Sequence, residues 1–167
     1  MNFTIANVKI SIKILSTPLD IVSKKLKECQ VTQHNNFIVV KSKYTFIIFK
    51  PKLTSETNHI NITKIPNLNL IKDAIDEIEG LLKCNTFGLV VDNISATSTF
   101  PCKLDLVKLV SENKFDQIKY NNQAFPGLFL KFEFGTAIIF HSGKINIVGC
   151  KSEKNLKWIL HQISVNI

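Results

Sequence analysis

Residues 125–153 read FPGLFLKFEFGTAIIFHSGKINIVGCKSE, and this stretch is the clearest indication of the fold. Its three short apolar runs, LFLKFEF, TAIIF and KINIVG, are separated by Gly135 and by Ser142-Gly143. Glycine and serine between such runs are typical of tight turns, so the pattern predicts three consecutive strands. A helix is predicted to begin at Ser152, directly after the last strand.

The stretch is unusually rich in phenylalanine. Successive side chains of a strand point to opposite faces of a sheet. We therefore expect most of these rings to pack in a sheet core and the others to lie on the opposite face. The rings concerned are Phe125, Phe129, Phe132, Phe134 and Phe140.

The chain contains two copies of one pattern. Leu19-Asp20-Ile21-Val22 corresponds to Leu104-Asp105-Leu106-Val107, and Ile60-Asn61-Ile62-Thr63 corresponds to Ile145-Asn146-Ile147-Val148 with the same offset. An internal repeat of this kind predicts two units built on one plan. We predict a first repeat over residues 1–84 and a second over residues 85–167, which together form one structural unit.

Hydrophobic periodicity predicts strand, helix, four short strands and helix in each half. The two halves are expected to pair through their first strands into one curved antiparallel sheet, with four helices on one face, which is an α+β fold. Trp158 is interpreted as a core anchor. The predicted elements are, in the first half, strand 5–15, a helix from Pro18, strands near 30–34, 36–42, 44–50 and 59–64, and a helix from Asn67 to Lys83; in the second half they are strand 86–98, helix 101–112, strands near 115–120, 127–133, 136–141 and 144–150, and helix 152–163.

The charge of the chain favours a polyanionic partner. The formal net charge is +8 and the sequence pI is about 9.4. Every basic side chain apart from histidine is a lysine, so the bidentate reading of guanine by arginine in the major groove is excluded. No apolar run is long enough to span a bilayer and no signal peptide is recognisable, so an intracellular protein is expected.

Catalytic and cofactor chemistry are poorly supported by the sequence. The four cysteines and four histidines are dispersed, without ligand spacing for zinc. Phosphate-binding loops, metalloprotease motifs and nucleophile elbows are not recognisable. We therefore expect neither an enzyme nor a bound cofactor or metal.

Several motifs resemble the TATA-binding protein family of archaea and eukaryotes. FPGL, IIFHSGK and GCKSE follow one another in the family's order, and CKLDL at residues 102–106 matches a family helix. The resemblance covers most of residues 87–163. It implies a saddle-shaped sheet that binds the minor groove of DNA, with a pair of phenylalanine wedges from each repeat and two central asparagines.

The resemblance also places individual residues. The wedges in the second half would be Phe125 and Phe140, and those in the first half Phe37 and Phe49, with Phe46 as the competing choice. Two departures concern the first half, which has a longer loop after Phe49 where the family has SGK and lacks the glycine of a TGAK-type strand end. The residues expected at DNA are Asn7, Phe37, Phe49, Thr63, Asn93, Phe125, Lys131, Phe140, Lys144, Val148 and Lys151.

The leading hypothesis is a general transcription initiation factor that binds and bends AT-rich promoter DNA. Its helical face would recruit other initiation factors and RNA polymerase; neither a membrane nor a small-molecule substrate is expected. The alternative is an interaction module of the same fold that has lost or weakened DNA binding. A third hypothesis is an accessory domain of a nucleic-acid enzyme. That hypothesis is disfavoured because the chain ends just after its last helix. The abundance of isoleucine, asparagine, lysine and phenylalanine favours a protist or a large DNA virus. The expected location is then the nucleus, or the host nucleus or a cytoplasmic virus factory.

Overall fold

The computed structural model describes residues 1–112 and 114–167. These residues form two compact units. The N-terminal unit comprises residues 7–92, and the C-terminal unit comprises residues 1–6 together with residues 93–167. The predicted order of strand, helix, four strands and helix is confirmed in each half, and so is the α+β class.

The first half of the chain follows the predicted element order closely. Asn67 precedes a short 3-10 turn, but its side chain caps no backbone N–H group. The elements are β1 (Phe3–Leu15), α1 (Leu19–Lys25), β2 (Gln30–Gln33), β3 (Phe37–Lys41), β4 (Thr45–Phe49), β5 (Thr57–Ile65), the 3-10 turn Leu68–Leu70 and α2 (Ile71–Leu82).

The second half repeats this order with two differences from prediction. Its first helix begins at Leu106 and not at residue 101, because Asp105 Oδ1 accepts the N–H groups of Val107 and Lys108 and caps the helix there. The predicted strand 115–120 shrinks to two residues. The elements are β6 (Phe87–Thr99), α3 (Leu106–Glu112), β7 (Ile118–Lys119), β8 (Gly127–Phe132), β9 (Gly135–Phe140), β10 (Lys144–Cys150) and α4 (Glu153–Asn166).

The N-terminal unit contains an antiparallel sheet in the order β2-β3-β4-β5-β1. Alternate residues of its strands are buried, and α2 packs against β5 on this buried side. The predicted core face of β1 is confirmed, since Val8, Ile10, Ile12 and Ile14 are at most 2% exposed. The other side of the sheet, which we call the open face, carries no helix of this unit.

The C-terminal unit contains the corresponding sheet in the order β6-β10-β9-β8-β7, with α4 packed on β9 and β10. Ser152 caps α4 by accepting the N–H of Asn155 at 3.2 Å, as the predicted helix start requires. Trp158 is not a core anchor, because 40% of it is exposed. The buried side of α4 is occupied instead by aliphatic residues: Leu156, Ile159, Leu160 and Ile163.

Neither a membrane-spanning helix nor a metal-binding cluster is found in the described part of the chain, residues 1–112 and 114–167. No helix there is long and apolar enough to cross a membrane. No group of three or more histidine, cysteine or acidic side chains in these ranges is arranged to hold a metal ion.

Candidate nucleic-acid interface

In the C-terminal unit the open face is the side of the sheet opposite α4. It is largely apolar at its centre and basic at its margin. Strand register places Thr97, Asn146, Ile138, Phe129 and Lys119 in one row across all five strands. A second row contains Val148, Thr136 and Lys131, and Val148 is 38% exposed. An apolar β-face with lysines at its edge is suited to the minor groove of DNA, which is read largely by shape.

Phe125 and Phe140 meet over the open face of this unit, as the predicted β8–β9 hairpin requires. Their ring centroids lie 5.9 Å apart, and Phe125 also lies 5.3 Å from Phe129. Phe140 is paired with Gly127, and a Cβ at that glycine would lie 2.6 Å from the Phe125 ring. Gly127 therefore makes room for the ring, which remains 40% exposed.

An equivalent pair of rings lies on the open face of the N-terminal unit. Phe37 and Phe49 are paired in the β3–β4 register, and their centroids lie 5.9 Å apart. Phe46 is fully buried on the core side, so Phe49 and not Phe46 is the ring available to a partner. His34 stacks on Phe37 at 4.4 Å and adds a third ring that the sequence did not indicate.

The side chain of Asn58 holds the strand end that carries Phe49. Asn58 is fully buried; its Nδ2 donates to the carbonyl oxygens of Phe49 (2.9 Å) and Thr17 (3.1 Å), and its Oδ1 accepts the Thr17 N–H at 2.7 Å. In the C-terminal unit the Gly143 N–H donates to the Phe140 carbonyl at 2.9 Å. In the N-terminal unit the side chain of Asn58 thus binds the carbonyl of Phe49, whereas in the C-terminal unit a backbone N–H of the SGK turn binds the carbonyl of Phe140.

Asn7 and Asn93 occupy matching positions in their own units. Asn7 Oδ1 accepts the N–H of Lys64 at 2.8 Å, and Asn93 Oδ1 accepts the N–H of Gly149 at 2.6 Å. Each bond lies where the strand register shifts by a bulge. In Asn93 the carbonyl end of the amide is therefore occupied and the NH₂ end remains to donate, as reading of A·T acceptors requires.

Lys64 stands in the bulge where the other repeat has Gly149, and both adopt the left-handed region with φ of 64° and 86°. A side chain there costs about 1–2 kcal/mol relative to glycine. Relief of this strain in Lys64→Gly should raise the free energy of unfolding by about 1 kcal/mol. The greater conformational entropy of glycine in the unfolded chain offsets part of that gain. Urea denaturation measures this change.

Lys13→Gly is the matched control for this prediction, because Lys13 lies in the middle of β1 with ordinary backbone angles. We expect that substitution to lower the free energy of unfolding by about 1 kcal/mol. Equal losses in both variants would mean that Lys64 is unstrained.

Comparison with known proteins identifies the architecture. The family model described as "Transcription factor TFIID (or TATA-binding protein, TBP)" matches residues 88–166. The structure of Methanococcus jannaschii TBP superposes with a TM-score of 0.80 over 99% of this chain and 98% of that chain, at 22% identity. The second half of the chain thus matches the TATA-binding protein family, and the chain as a whole has the fold of a TATA-binding protein.

Sequence similarity to individual TATA-binding proteins is concentrated in part of the chain. The protein of Aeropyrum pernix is 33% identical over 58% of this chain, and that of Pyrobaculum neutrophilum is 38% identical over 40%. These matches span 46% and 34% of the two relatives. The family model itself covers residues 88–166, the half of the chain in which the family motifs were found.

The open face of the N-terminal unit carries an ion pair. Lys9 Nζ lies 3.7 Å from Asp92 Oδ2, and Ser11 Oγ donates to Asp92 Oδ1 at 3.1 Å. Lys9 and Ser11 alternate with the buried residues of β1 and so lie on the open face. A carboxylate at such a place is unfavourable near DNA unless the lysine neutralises it.

The remaining predicted residues of the interface are all accessible, although the geometry alone assigns none of them to DNA. Lys131, Lys144 and Lys151 are exposed at or near strand ends of the C-terminal unit, and Thr63 is half-buried on the open face of the N-terminal unit. Lys119 was missed by sequence reasoning. It borders a groove of about 400 Å³ formed with Phe129, Lys131 and Thr136, and only the short strand β7 brings it there.

The four cysteines of the chain are free thiols, and at least one of them is unreactive. Cys150 is fully buried at the end of β10, and burial raises the pKa of its thiol to about 11. The thiolate is the nucleophilic form, so Cys150 is a packing residue.

Proposed function

We propose that this chain is a transcription initiation factor that binds the minor groove of AT-rich promoter DNA through its open sheet faces and kinks it with phenylalanine wedges. The observation that carries the proposal is the pair of partly exposed phenylalanine rings at the same position of each unit, at 5.9 Å in both. Rings of this kind unstack base steps when they enter the minor groove. The match of residues 88–166 to the TATA-binding protein family and the net charge of +8 support a DNA partner.

Selection of bound sequences from random duplexes, with bending measured on the selected duplexes, tests the proposal. We expect AT-rich sites that bend when bound. Selection of no sequence, or of sequences that stay straight, would remove the wedge mechanism.

Asn93 is proposed to read A·T base pairs by donating its amide hydrogens to their acceptors. A guanine amino group in the minor groove would crowd that amide. We therefore expect Asn93→Ala to reduce the preference for A·T over G·C at the contacted base pairs by about tenfold, with a smaller loss of total affinity. Competition between duplexes that differ at single base pairs measures both quantities; equal loss for both duplexes would rule out this reading role.

Lys144, which begins β10 on the side of Phe140, and Lys151, which follows the other end of that strand, are proposed to contact phosphates at the two margins of the C-terminal sheet. Each neutralised phosphate contributes a slope of about −0.9 to log K against log salt. We expect the alanine variant of either lysine to flatten that slope by about one. Lys27→Ala, at an exposed position beyond helix α1, is the control and should leave the slope unchanged. Unchanged slopes in both test variants would place DNA elsewhere.

We further propose that the helical side recruits other initiation factors and RNA polymerase, and that the protein works where promoter DNA lies, in a nucleus or a cytoplasmic virus factory. Asp92 favours a second function, because it places a carboxylate on the open face of the N-terminal unit and engages Lys9, which could otherwise meet a phosphate. On that alternative the N-terminal unit has lost DNA contact and the chain acts as an interaction module. The same duplex selection distinguishes the two, since a module of this kind selects no sites.

A further inference from the structure

The turn between β8 and β9 contacts helix α4 through aromatic side chains. The ring centroids of Phe134 and Trp158 lie 5.5 Å apart at an interplanar angle of 85°, and Phe132 approaches Trp158 to 5.8 Å from beneath. Phe134 is 37% exposed and Trp158 is 40% exposed. We call Phe134 and Trp158 the turn–helix patch. Two large rings side by side at this exposure leave apolar surface that the unit itself does not cover.

The N-terminal unit treats the same position differently. Asp73 corresponds to Trp158, because the offset that relates Ile60-Asn61-Ile62 to Ile145-Asn146-Ile147 also relates these two residues. Asp73 Oδ2 accepts hydrogen bonds from Lys43 Nζ at 2.7 Å and Tyr44 Oη at 2.6 Å, from the turn between β3 and β4.

These polar contacts hold the turn between β3 and β4 against helix α2. The bonds from Lys43 and Tyr44 hold the pKa of the Asp73 carboxyl below its usual range, and Tyr44 is only 1% exposed. Ser42 in the same turn donates to Glu77. The polar groups of turn and helix are hydrogen-bonded to each other in that unit, whereas the rings of the turn–helix patch in the C-terminal unit remain partly exposed.

Positive charge surrounds the turn–helix patch. A groove of about 410 Å³ runs beside Phe134 and is lined by Lys131, Lys151 and Asn155, with Glu133 as the acidic residue on its wall. Lys154 is exposed one helical turn before Trp158. The nearest acid of α4, Glu153, is engaged by Lys157 at 2.7 Å. Three lysines against one unpaired glutamate give the surroundings a net positive charge.

We propose that the turn–helix patch and its three lysines form a docking surface for an acidic segment of a partner protein that carries aliphatic or aromatic side chains. The rings supply apolar area of the kind that dominates binding hot spots. The lysines attract and orient an acidic chain. The proposal specifies the recruitment proposed above. The two rings and Lys154 lie at the turn and at α4, away from the open face, so the apolar contact does not depend on DNA binding, whereas Lys131 and Lys151 also border the candidate DNA interface.

Trp158 is the single tryptophan of the chain, so its fluorescence reports on this surface alone. The probe is a short synthetic peptide of aspartate, leucine and phenylalanine. We expect it to shift Trp158 emission to shorter wavelength in a saturable titration. A peptide with lysine in place of aspartate tests charge, and one with serine in place of the apolar residues tests apolar contact; neither should shift the emission.

Substitutions that keep the reporter locate the contact. Phe134→Ser and Lys154→Glu should each weaken the peptide about tenfold, as loss of a hot-spot ring or reversal of a close charge does. Asp73→Asn, at the equivalent position of the N-terminal unit, and Lys27→Glu, elsewhere on the surface, should leave binding unchanged. Circular dichroism of each variant verifies that it remains folded.

Three results would overturn the proposal. An emission spectrum that the acidic peptide leaves unchanged means that the patch does not bind such segments. A shift produced by a DNA duplex and not by the peptide assigns the patch to nucleic acid. A shift that depends on protein concentration without any peptide assigns it to a second copy of the chain. Failure to bind DNA, by contrast, would contradict the proposed function and leave this inference intact.

Discussion

Replacing Phe125 and Phe140 together with alanine should abolish DNA kinking by the C-terminal unit while the protein stays folded. Phe125 is 40% exposed and both rings lie over the open face, outside the core of the unit. Removing them costs the protein little internal packing, but it removes the apolar wedge that offsets base unstacking. We expect affinity for a bent site to fall by about 2–4 kcal/mol, roughly 30- to 1000-fold.

Two measurements on this double variant separate wedge from core. DNA bending, followed by fluorescence resonance energy transfer between duplex ends, should lose its contribution from this side. Thermal unfolding should shift only slightly. The Phe37→Ala, Phe49→Ala double variant is the counterpart for the N-terminal unit, and a normal bend in that variant would mean that this unit no longer kinks DNA.

Phe46→Ala provides the control for core behaviour. Phe46 is fully buried, and loss of a packed phenylalanine costs about 3–5 kcal/mol of stability. If the Phe125 and Phe140 variant unfolds as readily as the Phe46 variant, the rings are structural and the minor-groove mechanism loses its main support.

Asn58→Ala should be among the most destabilising single substitutions in the N-terminal unit. The change removes three hydrogen bonds and leaves the Thr17 N–H and the carbonyls of Thr17 and Phe49 without their partner. Unsatisfied buried polar groups cost about 1–3 kcal/mol each, and water will reach some of these after truncation. We expect the free energy of unfolding to fall by about 3 kcal/mol in urea titrations.

Asn61→Ala is the matched control, because Asn61 lies on the same strand but on the open face. Its loss should change stability by no more than about 0.5 kcal/mol. Equal effects of the two substitutions would show that the hydrogen bonds of Asn58 contribute nothing special. If the Asn58 variant stays folded but loses DNA bending on the Phe49 side, the hydrogen bonds of Asn58 also position Phe49 for DNA.

The sequence predicted those features that depend on local pattern. The alternation of β1 predicted its buried residues, Gly135 marked the turn that brings Phe125 to Phe140, and Gly143 marked the turn that follows. The internal repeat predicted the element order of the first half, even though the family motifs are weakest there.

The features that sequence reasoning missed depend on contacts between distant segments. Nothing local distinguishes Asn58 from Asn61, and only the contacts with Thr17 and the Phe49 carbonyl give Asn58 its structural role. Trp158 was placed in the core on residue type alone, whereas its helical position opposite Leu156 and Ile159 leaves it outside. Asp92 was not considered, because its ion pair joins β6 to β1 across the sequence.

The bonds from Asn7 to Lys64 and from Asn93 to Gly149 have a consequence for how freely the sequence of these strands can change. Each bond forms only when a bulge sits at one particular residue, and a slip of one residue would turn every side chain of the strand to the wrong face. Register is therefore fixed by one asparagine and one left-handed residue in each repeat. Substitutions elsewhere in these strands leave the register unchanged as long as the asparagine and the left-handed residue are kept.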